Sequence, residues 1–424
     1  MPLDLNSQFK KALEIMQNSD QHLFLTGKAG TGKSTLLSYF IENSKNSFAV
    51  LAPTGVAAIN VQGQTIHSFF QFKPNITIEE AKKKGSRAQD NELYTKLKTI
   101  IIDEVSMVRA DLIDCIDVFL KSSRASNQAF GGVQMIFVGD LYQLPPVVTR
   151  EDKEYFEVVY KSPYFFDSNV FKEPGFCMEF VELETVYRQK DKAFINLLNA
   201  IRTKTITNEH IQILNKQLNP EFEGDSDDYI HLTTTNKMAA NINELRLNQL
   251  DTKPHFFEGV LKGEMKSPPT DVNLHLKVGS QVMFINNDSA GQWVNGTIGK
   301  ITDIEEGEVW VKIHNGKEVH VTENTWDMYK YFFDKESKTL SQESAGSFTQ
   351  IPIKLAWAIT IHKSQGKTFD NVIIDLGRGS FAHGQTYVAL SRCTTFEGIV
   401  LKNPIKTSDI LLDWRVQKFI TDYQ

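Results

Sequence analysis

The stretch HLFLTGKAGTGKSTLLSYF, His22 to Phe40, joins a short apolar run to a glycine-rich loop and then to a segment compatible with a helix. Its centre, Gly27-x-x-x-x-Gly32-Lys33-Ser34, has the spacing of a P-loop, in which main-chain N–H groups surround phosphates. In such a loop the lysine reaches the β- and γ-phosphate oxygens, the serine hydroxyl holds Mg²⁺, and the helix N-terminus adds a positive end. A chance glycine turn is the alternative, but the strand before the loop and the helix after it favour a nucleotide site.

The composition is typical of a soluble globular chain with more than one domain. A single hydrophobic core rarely serves as many as 424 residues, so we expect at least two domains. No apolar run approaches the ~20 residues that span a bilayer, and the N-terminal MPLDLNSQFKKALEIM has no targeting pattern. Cys115, Cys177 and Cys393 lack metal or redox spacing, which predicts reduced thiols in the cytoplasm.

Three further apolar runs predict a parallel α/β sheet, because helix-compatible segments lie between them. The runs are FAVLAPTG (48–55), TIIIDE (99–104) and VQMIFVGD (133–140). Two of them end in acids, at the sheet edge where open α/β folds bind ligands. Asp103 is suited to hold Mg²⁺ through its water shell and Glu104 to polarise an attacking water. A solvated strand end is the alternative for this pair, and the strand context favours the catalytic role.

A polar turn follows the run at 133–140, with the sequence GDLYQLPP at 139–146. The amide of Gln143 is suited to hydrogen-bond the γ-phosphate or the attacking water, as a water-positioning glutamine does in other nucleotide hydrolases. A surface turn stiffened by its prolines is an equally good reading of this segment alone.

Beyond the P-loop, six segments carry a family resemblance. They are LAPTGVAAINVQGQTIHSFF (51–70), IIDEVSMVRADLIDCID (101–117), FGGVQMIFVGDLYQLPPV (130–147), LETVYRQ (183–189), ITIHKSQGKTFDNVIID (359–375) and YVALSRCTT (387–395). In this order they resemble the motifs of superfamily 1 helicases, and more narrowly those of the PIF-type (petite integration frequency) DNA helicases of the 5′-to-3′ subgroup. The match runs from residue 5 to residue 395 and is weakest over 71–98 and 250–345.

The resemblance implies an α/β fold with two RecA-like parallel-sheet lobes and ATP in the cleft between them. The implied parts are lobe 1A at 1–64 and 94–183, a small wedge insertion 1B at 65–93, lobe 2A at 184–270 and 346–424, and an SH3-like β-barrel insertion 2B at 271–345. Independently, the alternating pattern of the last segment predicts antiparallel hairpins, with Asn315-Gly316 as a two-residue turn. Within the wedge, KKKGSR (82–87) is either a basic contact or a solvated run of charges.

The resemblance also implies a site for ATP and Mg²⁺ made by both lobes. The catalytic residues that it implies are Lys33, Asp103, Glu104, Gln143 and two arginine fingers from lobe two, Arg188 and Arg392. The nucleotide-binding residues are Gln8, Gly27, Gly30, Thr31, Gly32, Lys33, Ser34, Thr35, Tyr187 and Gly366, and the metal ligands are Ser34 and Asp103. Guanidiniums from across a cleft stabilise charge on a transferring phosphoryl group, although a surface salt bridge is the alternative for each arginine.

Adenine recognition is implied by Leu5-Asn6-Ser7-Gln8, which resembles the family's Q motif. A glutamine amide offers a donor and an acceptor together, which matches the amino group and a ring nitrogen of adenine. Tyr187 is suited to stack on the base. The alternative for Gln8 is an exposed position on the first helix.

The resemblance places a track for single-stranded DNA on both lobes. Its residues are Thr54, Thr65, His67, Asn236, Thr360, His362, Lys363 and Ser364. Only one of these is a fixed cation, which agrees with a net charge of −6 that argues against bulk electrostatic coating of nucleic acid. Phe69, Phe70 and Phe72 are suited to stack bases, but a core position is favoured for them. For a lone histidine such as His362, a packed position is likewise the alternative.

Taken together, the resemblance implies an ATP-dependent 5′-to-3′ DNA helicase that translocates on single-stranded DNA and unwinds duplexes. It extends the partners to forked DNA, G-quadruplexes and RNA–DNA hybrids, in telomere maintenance, repair and recombination. We expect no membrane partner, a monomer in solution and a cytoplasmic, nucleoid-associated protein. Two alternatives stay open: a DNA-binding ATPase switch that does not separate strands, and the motor subunit of a RecD-like nuclease complex.

Overall fold

The structure is a computed structural model that describes residues 6–44, 47–149, 152–224, 229–263, 268–305, 307–313, 316–334 and 339–423. Leu5 and Asn315, on which two of the predictions above partly rest, lie outside these ranges. Among the described residues, no helix is both long and apolar enough to cross a membrane.

The first half of the chain forms lobe one, which is built on a six-stranded parallel sheet in the order β3-β2-β4-β5-β1-β6. Its strands are β1 His22–Gly27, β2 Phe48–Ala52, β3 Gln64–Thr65, β4 Thr99–Ile102, β5 Gln134–Val138 and β6 Met178–Leu183. The helices of this half are α1 Ser7–Asn18, α2 Lys33–Asn43, α3 Gly55–Asn60, α4 Ile66–Phe69, α5 Ile78–Arg87, α6 Glu92–Lys96, α7 Ala110–Ser123 and α8 Asp152–Val159.

Both faces of this sheet are buried, which explains why its strands read as continuous apolar runs. Successive side chains of a strand point to opposite faces. In β1, Leu23 and Leu25 therefore join the core beneath α1 and α2, whereas Phe24 joins the core on the side of α7. All three side chains are fully buried.

The segment predicted as a wedge, 65–93, is largely helical and packs on lobe one. Helix α5 lies against α7, where a Cβ on Gly85 would come within 2.4 Å of the Phe119 carbonyl oxygen. The basic residues Lys82, Lys83 and Arg87 of α5 are exposed, which is compatible with both readings of KKKGSR.

The aromatic cluster at the start of that segment belongs to the core. Phe69, Phe70 and Phe72 are all buried, and their rings contact Tyr94 or Phe119. The favoured reading of this cluster as core is therefore confirmed.

Lobe two begins after β6 with α9 Lys192–Arg202, α10 Asn208–Leu214, β7 Ile230–Thr233 and α11 Asn236–Asn248. Ten antiparallel strands follow, and they extend beyond the predicted 271–345 at both ends. They are β8 Pro254–Glu258, β9 Val260–Gly263, β10 Asn273–Lys277, β11 Gln281–Phe284, β12 Ile298–Glu305, β13 Glu308–Ile313, β14 Glu318–Val321, β15 Asn324–Asp334, β16 Thr339–Gln350 and β17 Ile353–Leu355.

These strands make three antiparallel sheets, with the orders β14-β13-β12-β11-β17, β15-β16-β9 and β10-β8. A separate hydrophobic core that includes Leu274, Phe284 and Val311 supports the first and third of these sheets, as expected for a β-module inserted into lobe two. The buried residues Trp326 and Phe348 of the second sheet belong instead to the core that includes lobe one. The long hairpin β15–β16 also reaches lobe one. There the Tyr331 hydroxyl accepts a hydrogen bond from the Val50 backbone N–H at 3.0 Å.

The chain then returns to lobe two and completes a four-stranded parallel sheet in the order β18-β7-β19-β20. The remaining elements are β18 Ala358–Thr360, β19 Val372–Asp375, α12 Gln385–Leu390, β20 Ile399–Leu401 and α13 Trp414–Tyr423.

Helix α13 was predicted as part of lobe two but packs on lobe one. Its Phe419 ring stacks on Phe166 with 4.2 Å between centroids and lies 6.0 Å from the Phe24 ring. On the same helix Val416 and Ile420 are buried in the core shared with lobe one. Aromatic packing between residues this distant in sequence leaves no local pattern, so the sequence could not indicate it.

We expect Phe419→Ala to lower the free energy of unfolding by about 2–4 kcal/mol, because it removes a stacked aromatic ring from this contact. Trp414→Ala is the matched control, since Trp414 is on the same helix but 65% exposed; we expect a change within about 0.5 kcal/mol. Urea denaturation of both variants measures the difference. Equal losses would contradict the docking of α13 on lobe one.

Candidate nucleotide site between the two lobes

The phosphate-binding loop has the predicted form, with β1 ending at Gly27 and α2 beginning at Lys33. Lys33 Nζ donates hydrogen bonds to the carbonyl oxygens of Gly27 at 2.7 Å and Lys28 at 3.1 Å. Gly30 has a φ of +81°, and a Cβ there would lie 2.5 Å from the Cβ of Arg188. A glycine is therefore required at this position by both the backbone conformation and the approach of Arg188.

A cavity of about 410 Å³ lies over this loop and gathers most of the predicted nucleotide residues. It is lined by Phe9, Ala29, Gly30, Thr31, Gly32, Lys33, Ser34, Thr35, Glu104, Gln143, Tyr187, Arg188, Gly366 and Arg392. Of the predicted set, Gln8, Gly27 and Asp103 are not among the lining residues. Phe9 and Ala29 were not predicted, although each directly adjoins a residue of a predicted motif.

Two arginines from the lobe-two side complete the cavity. Arg188 Nη1 donates to the Ser391 carbonyl oxygen at 3.1 Å. Arg392 is 1% exposed, and its Nε and Nη2 donate to the Val388 carbonyl oxygen at 3.0 Å and to Ser391 Oγ at 2.9 Å. Burial and the neighbouring Arg188 charge lower the pKa of Arg392 to about 9. The alternative of a surface salt bridge does not fit, because within the described ranges neither guanidinium pairs with a carboxylate.

The carboxylates at the end of β4 are half-buried. Burial, and then the Glu104 charge, raise the pKa of Asp103 to about 7. Burial likewise raises the pKa of Glu104, against the opposing effect of Lys33 and Arg392. Glu104 has a φ of +51°, an uncommon backbone conformation for a residue with a side chain. Strained residues of this kind cluster at functional sites, which favours the catalytic role of this pair over a solvated strand end.

Three contacts from lobe two reach the loops of lobe one at the cavity. The Tyr387 hydroxyl accepts a hydrogen bond from the Ala29 N–H at 3.0 Å. His383 Nδ1 accepts from the Asp413 N–H at 2.9 Å, so Nε2 carries the proton and donates to the Leu141 carbonyl oxygen at 2.8 Å. Gly384, the residue after His383, lies directly against the turn that carries Gln143.

Two charged residues near this turn were not predicted as site residues, Asp140 and Arg202. Both are almost fully buried, and they form an ion pair with 3.2 Å between Arg202 Nη2 and Asp140 Oδ1. Asp140 lies in GDLYQLPP, directly after a predicted strand, and this position could have indicated a site residue. Arg202 lies at the end of an ordinary amphipathic helix, which gives no such indication.

The segment that resembles the Q motif lies beside the cavity. Gln8 Oε1 accepts a hydrogen bond from the Glu184 N–H at 3.2 Å, so this side chain is tied to the chain that leads to Tyr187. Asn6 caps α1, and its Nδ2 donates to the Tyr187 hydroxyl at 3.5 Å. The Tyr187 ring is 52% exposed and is available for stacking. Gln8 lies on α1, is half-buried and does not line the cavity, so its contact with adenine stays a prediction.

The predicted DNA residues differ in accessibility. Thr54 and Thr65 cap α3 and α4, where their hydroxyls accept from the N–H groups of Ala57 and Ser68. Asn236 and Lys363 are exposed, and His67 and His362 are half-buried with pKa values lowered by burial. Two residues need correction, since Thr360 is 4% exposed and Ser364 0%. The Thr360 hydroxyl accepts from the Lys363 N–H and that of Ser364 donates to the Ile361 carbonyl oxygen, so both stabilise the turn.

A P-loop that faces two arginines at the boundary between two parallel-sheet lobes defines the class of this protein, which is a two-lobed P-loop nucleoside triphosphatase. Comparison with known proteins identifies the family within this class. The family model of the PIF1-like helicases matches residues 4–212. The ATP-dependent DNA helicase Pif1 of Bdellovibrio bacteriovorus is 31% identical over 100% of this chain and 93% of its own length. The chain therefore belongs to the PIF1-like helicase family and is an ATP-dependent DNA helicase.

Other relatives and solved structures agree with this assignment. The ATP-dependent DNA helicase PIF1 of Danio rerio is 36% identical over 90% of this chain, which spans 58% of that relative. The crystal structure of Bacteroides sp Pif1 in complex with ADP-AlF4 has a TM-score of 0.88 at 37% identity, covering 99% of this chain and 97% of that one. Bacteroides Pif1 bound to ssDNA has a TM-score of 0.69 at 36% identity, with the same coverage.

We expect Gly384→Ala to lower the maximal rate of ATP hydrolysis about 10- to 100-fold. An added Cβ would lie 2.4 Å from the Tyr142 carbonyl oxygen and 2.5 Å from that of Gln143, so the turn must shift. Gly175→Ala is the matched control, because Gly175 has a similar positive φ but no atom within 4 Å of an added Cβ. Steady-state hydrolysis in the presence of single-stranded DNA measures both. Equal rates in the two variants would show that backbone strain alone, and not the contact with the turn, governs the effect.

Proposed function

We propose that this chain is a monomeric, cytoplasmic motor that moves 5′ to 3′ on single-stranded DNA and unwinds duplexes. The proposal extends to RNA–DNA hybrids and G-quadruplexes and to a role in genome maintenance. The observation that carries it is the cavity built from both lobes, with Arg188 and Arg392 facing the P-loop. Solved structures support the DNA partner, since one is of Bacteroides Pif1 bound to ssDNA and another concerns DNA unwinding at forked dsDNA by two Pif1 helicases.

Mg²⁺ fits the residues present, and Ser34 and Asp103 would hold it. Hydroxyl and carboxylate oxygens are the hard ligands that this cation prefers, and Asp103 is a half-buried carboxylate without a compensating ion pair among the described residues. When bound, the cation neutralises charge on the phosphates. Around it, Lys33 binds phosphate oxygens, Glu104 polarises the water, Gln143 orients it, and the two arginines stabilise charge on the transferring phosphoryl group.

Movement follows from the position of the nucleotide. A ligand that contacts both lobes favours the arrangement in which the lobes are close, and loss of the γ-phosphate removes the group that the arginines hold. The TM-score of this chain is 0.88 to unliganded Bacteroides Pif1 and 0.69 to the form bound to ssDNA. The ADP-AlF4 form without DNA also has a TM-score of 0.88, so this difference supports a rearrangement of the parts that accompanies DNA binding.

Strand displacement from forked duplexes tests direction and motor function together. We expect a duplex with a 5′ single-stranded tail to be unwound and one with a 3′ tail to stay intact. Lys33→Ala should lower hydrolysis and unwinding about 100-fold or more, because a phosphate-binding cation is lost, while single-strand binding is kept. Lys10→Ala, an exposed lysine of α1, is the control and should match the unaltered protein.

Other outcomes of this assay identify the alternatives. Unwinding from the 3′ tail would overturn the direction, and normal unwinding by Lys33→Ala would overturn the nucleotide site. DNA-stimulated hydrolysis without displacement from either tail would favour the ATPase switch.

We further propose that two lysines of lobe two bind the DNA backbone, although neither was in the predicted set. Burial, and then the Lys363 charge, lower the pKa of Lys354 to about 8. Burial, and then the Lys354 charge, lower the pKa of Lys367 to about 7. Lys367 Nζ donates to Asn295 Oδ1, a neutral partner in the loop that follows β11. Each lysine is thus disfavoured as a cation by burial and by a neighbouring lysine charge, and an anion such as a DNA phosphate would relieve that repulsion.

The charge on these lysines sets a pH dependence of DNA binding. A lysine is charged below its pKa, so both ammonium groups are lost as pH rises through about 7 to 8. We expect the affinity for oligo(dT) to fall roughly tenfold between pH 6.5 and 8.5 at constant salt.

Lys367→Met should reduce this pH dependence of the affinity and lower the slope of log K against log salt by about one. Fluorescence anisotropy measures both, with Lys237→Met, an exposed lysine of α11, as the control. An affinity independent of pH would contradict the proposal.

A further inference from the structure

Asp140 is the centre of a buried polar network behind the cavity. It follows β5, and its side chain is 0% exposed. Oδ1 accepts hydrogen bonds from Arg202 Nη2 at 3.2 Å and from the Tyr142 N–H at 3.2 Å. Oδ2 accepts from Gln143 Nε2 at 3.3 Å. One carboxylate thus holds both the backbone of this turn and the side chain of its glutamine.

The cation in this network comes from the other lobe. Arg202 is the last residue of α9, and α9 packs on α12 of lobe two. On the same helix, the Phe194 ring also lies 5.8 Å from that of Phe396, which precedes β20. The Arg202 guanidinium reaches lobe one, where Nη2 lies 3.5 Å from Glu182 Oε1 and Cζ lies 4.2 Å from the centre of the Tyr142 ring. Stacking on a ring combined with two carboxylates requires the planar, forked cation of an arginine.

The network keeps Asp140 ionised although it is fully buried. Burial opposes ionisation, but the charges of Arg202 and then Lys33 outweigh it, so the pKa of Asp140 is lowered. A carboxylate offers only acceptors, so the Gln143 amide must turn its nitrogen towards Asp140. The Gln143 oxygen is then the amide atom left for the cavity, where it is suited to accept a hydrogen bond from the attacking water and not to donate one to a phosphate oxygen.

We propose that Arg202 is a positioning residue for ATP hydrolysis, which acts across the lobe seam by fixing Asp140 and, through it, the orientation of the Gln143 amide. This inference rests on the role of Gln143 in the proposed function. Its consequence is that the water-orienting group of lobe one is in place only while a helix of lobe two is correctly seated. Hydrolysis is thereby coupled to the arrangement of the lobes through a contact that does not touch the nucleotide.

Kinetics of single and double variants test the inference. Arg202→Lys keeps the charge but loses the fork, and we expect kcat to fall about tenfold while KM for ATP changes less than about twofold. Gln143→Ala alone should lower kcat about 100-fold, because the water loses its oriented acceptor. When Arg202→Lys is added to Gln143→Ala, we expect no further fall in kcat, because the residue through which Arg202 acts is already absent.

Arg124→Lys is the matched control for a purely structural arginine. The Arg124 guanidinium is half-buried in lobe one, where it donates to the carbonyl oxygens of Tyr94, Leu97 and Gly131, away from the cavity. Any effect of Arg124→Lys on kcat should be the same in the unaltered and the Gln143→Ala backgrounds. Circular dichroism and thermal melting establish that each variant is folded.

A second variant covers the case in which Arg202→Lys does not fold. Asp140→Asn has the same shape and keeps Oδ1, but it places an NH₂ group opposite Gln143 Nε2. Two donors then face each other, so the glutamine amide must turn over. We expect a fall in kcat of about tenfold or more with little change in KM, again absent in the Gln143→Ala background.

The outcomes separate this inference from the proposed function. If Gln143→Ala hydrolyses ATP normally, the role of Gln143 is wrong and the inference fails with it. If Gln143→Ala is impaired but Arg202→Lys lowers kcat by the same factor in both backgrounds, only the positioning role is overturned. Loss of the Arg202→Lys effect in the Gln143→Ala background supports the inference.

Discussion

The structure depends on fixed positive charge held at the seam between two lobes. Arg188 and Arg392 lie together over the P-loop, and their described partners are backbone and hydroxyl oxygens, not carboxylates. Backbone carbonyls orient these guanidiniums without neutralising them, so the seam keeps a net attraction for anions. A chain with a net charge of −6 therefore places three cationic side chains, Lys33, Arg188 and Arg392, around a cavity where a triphosphate has room.

The polar contacts across the seam link the two loops of lobe one that handle the nucleotide. Tyr387 contacts the P-loop, whereas His383 and Arg202 contact the turn after β5. Each contact is buried, so separating the lobes would leave polar groups without partners unless water or a ligand replaced them.

Two elements from the second half of the chain pack on lobe one, so the two lobes are connected at more places than the nucleotide site. The β15–β16 hairpin, inserted in the second half, reaches β2 of lobe one through Tyr331, and α13 returns to the lobe-one core through Phe419. Lobe one is therefore covered on two sides by elements from the second half of the chain. Both contacts are formed by aromatic side chains, which bury a large area with few rotatable bonds.

The sequence by itself determined the features that depend on local spacing. The P-loop, the apolar runs of the parallel strands, the carboxylates after β4 and the turn with Gln143 each occupy a short segment, and their chemistry follows from residue order along one strand and one loop. The family resemblance added the two arginines and the β-insertion. The structure assembles these motifs around one cavity because the carboxyl ends of parallel strands meet at the same sheet edge.

Only the tertiary structure decided which distant residues complete the site. Arg202 ends an ordinary amphipathic helix, and nothing near it in sequence indicates that its charge pairs with Asp140 in the other lobe. Nothing near Tyr387 in sequence indicates that its hydroxyl contacts the Ala29 N–H. Likewise, the sequence did not indicate that the Ser364 side chain is buried, although it was predicted to contact DNA. Residue order specifies the period of a helix or strand. The burial of a side chain, however, depends on elements that are distant in sequence. Burial in turn decides whether a charge is solvated, paired or functional.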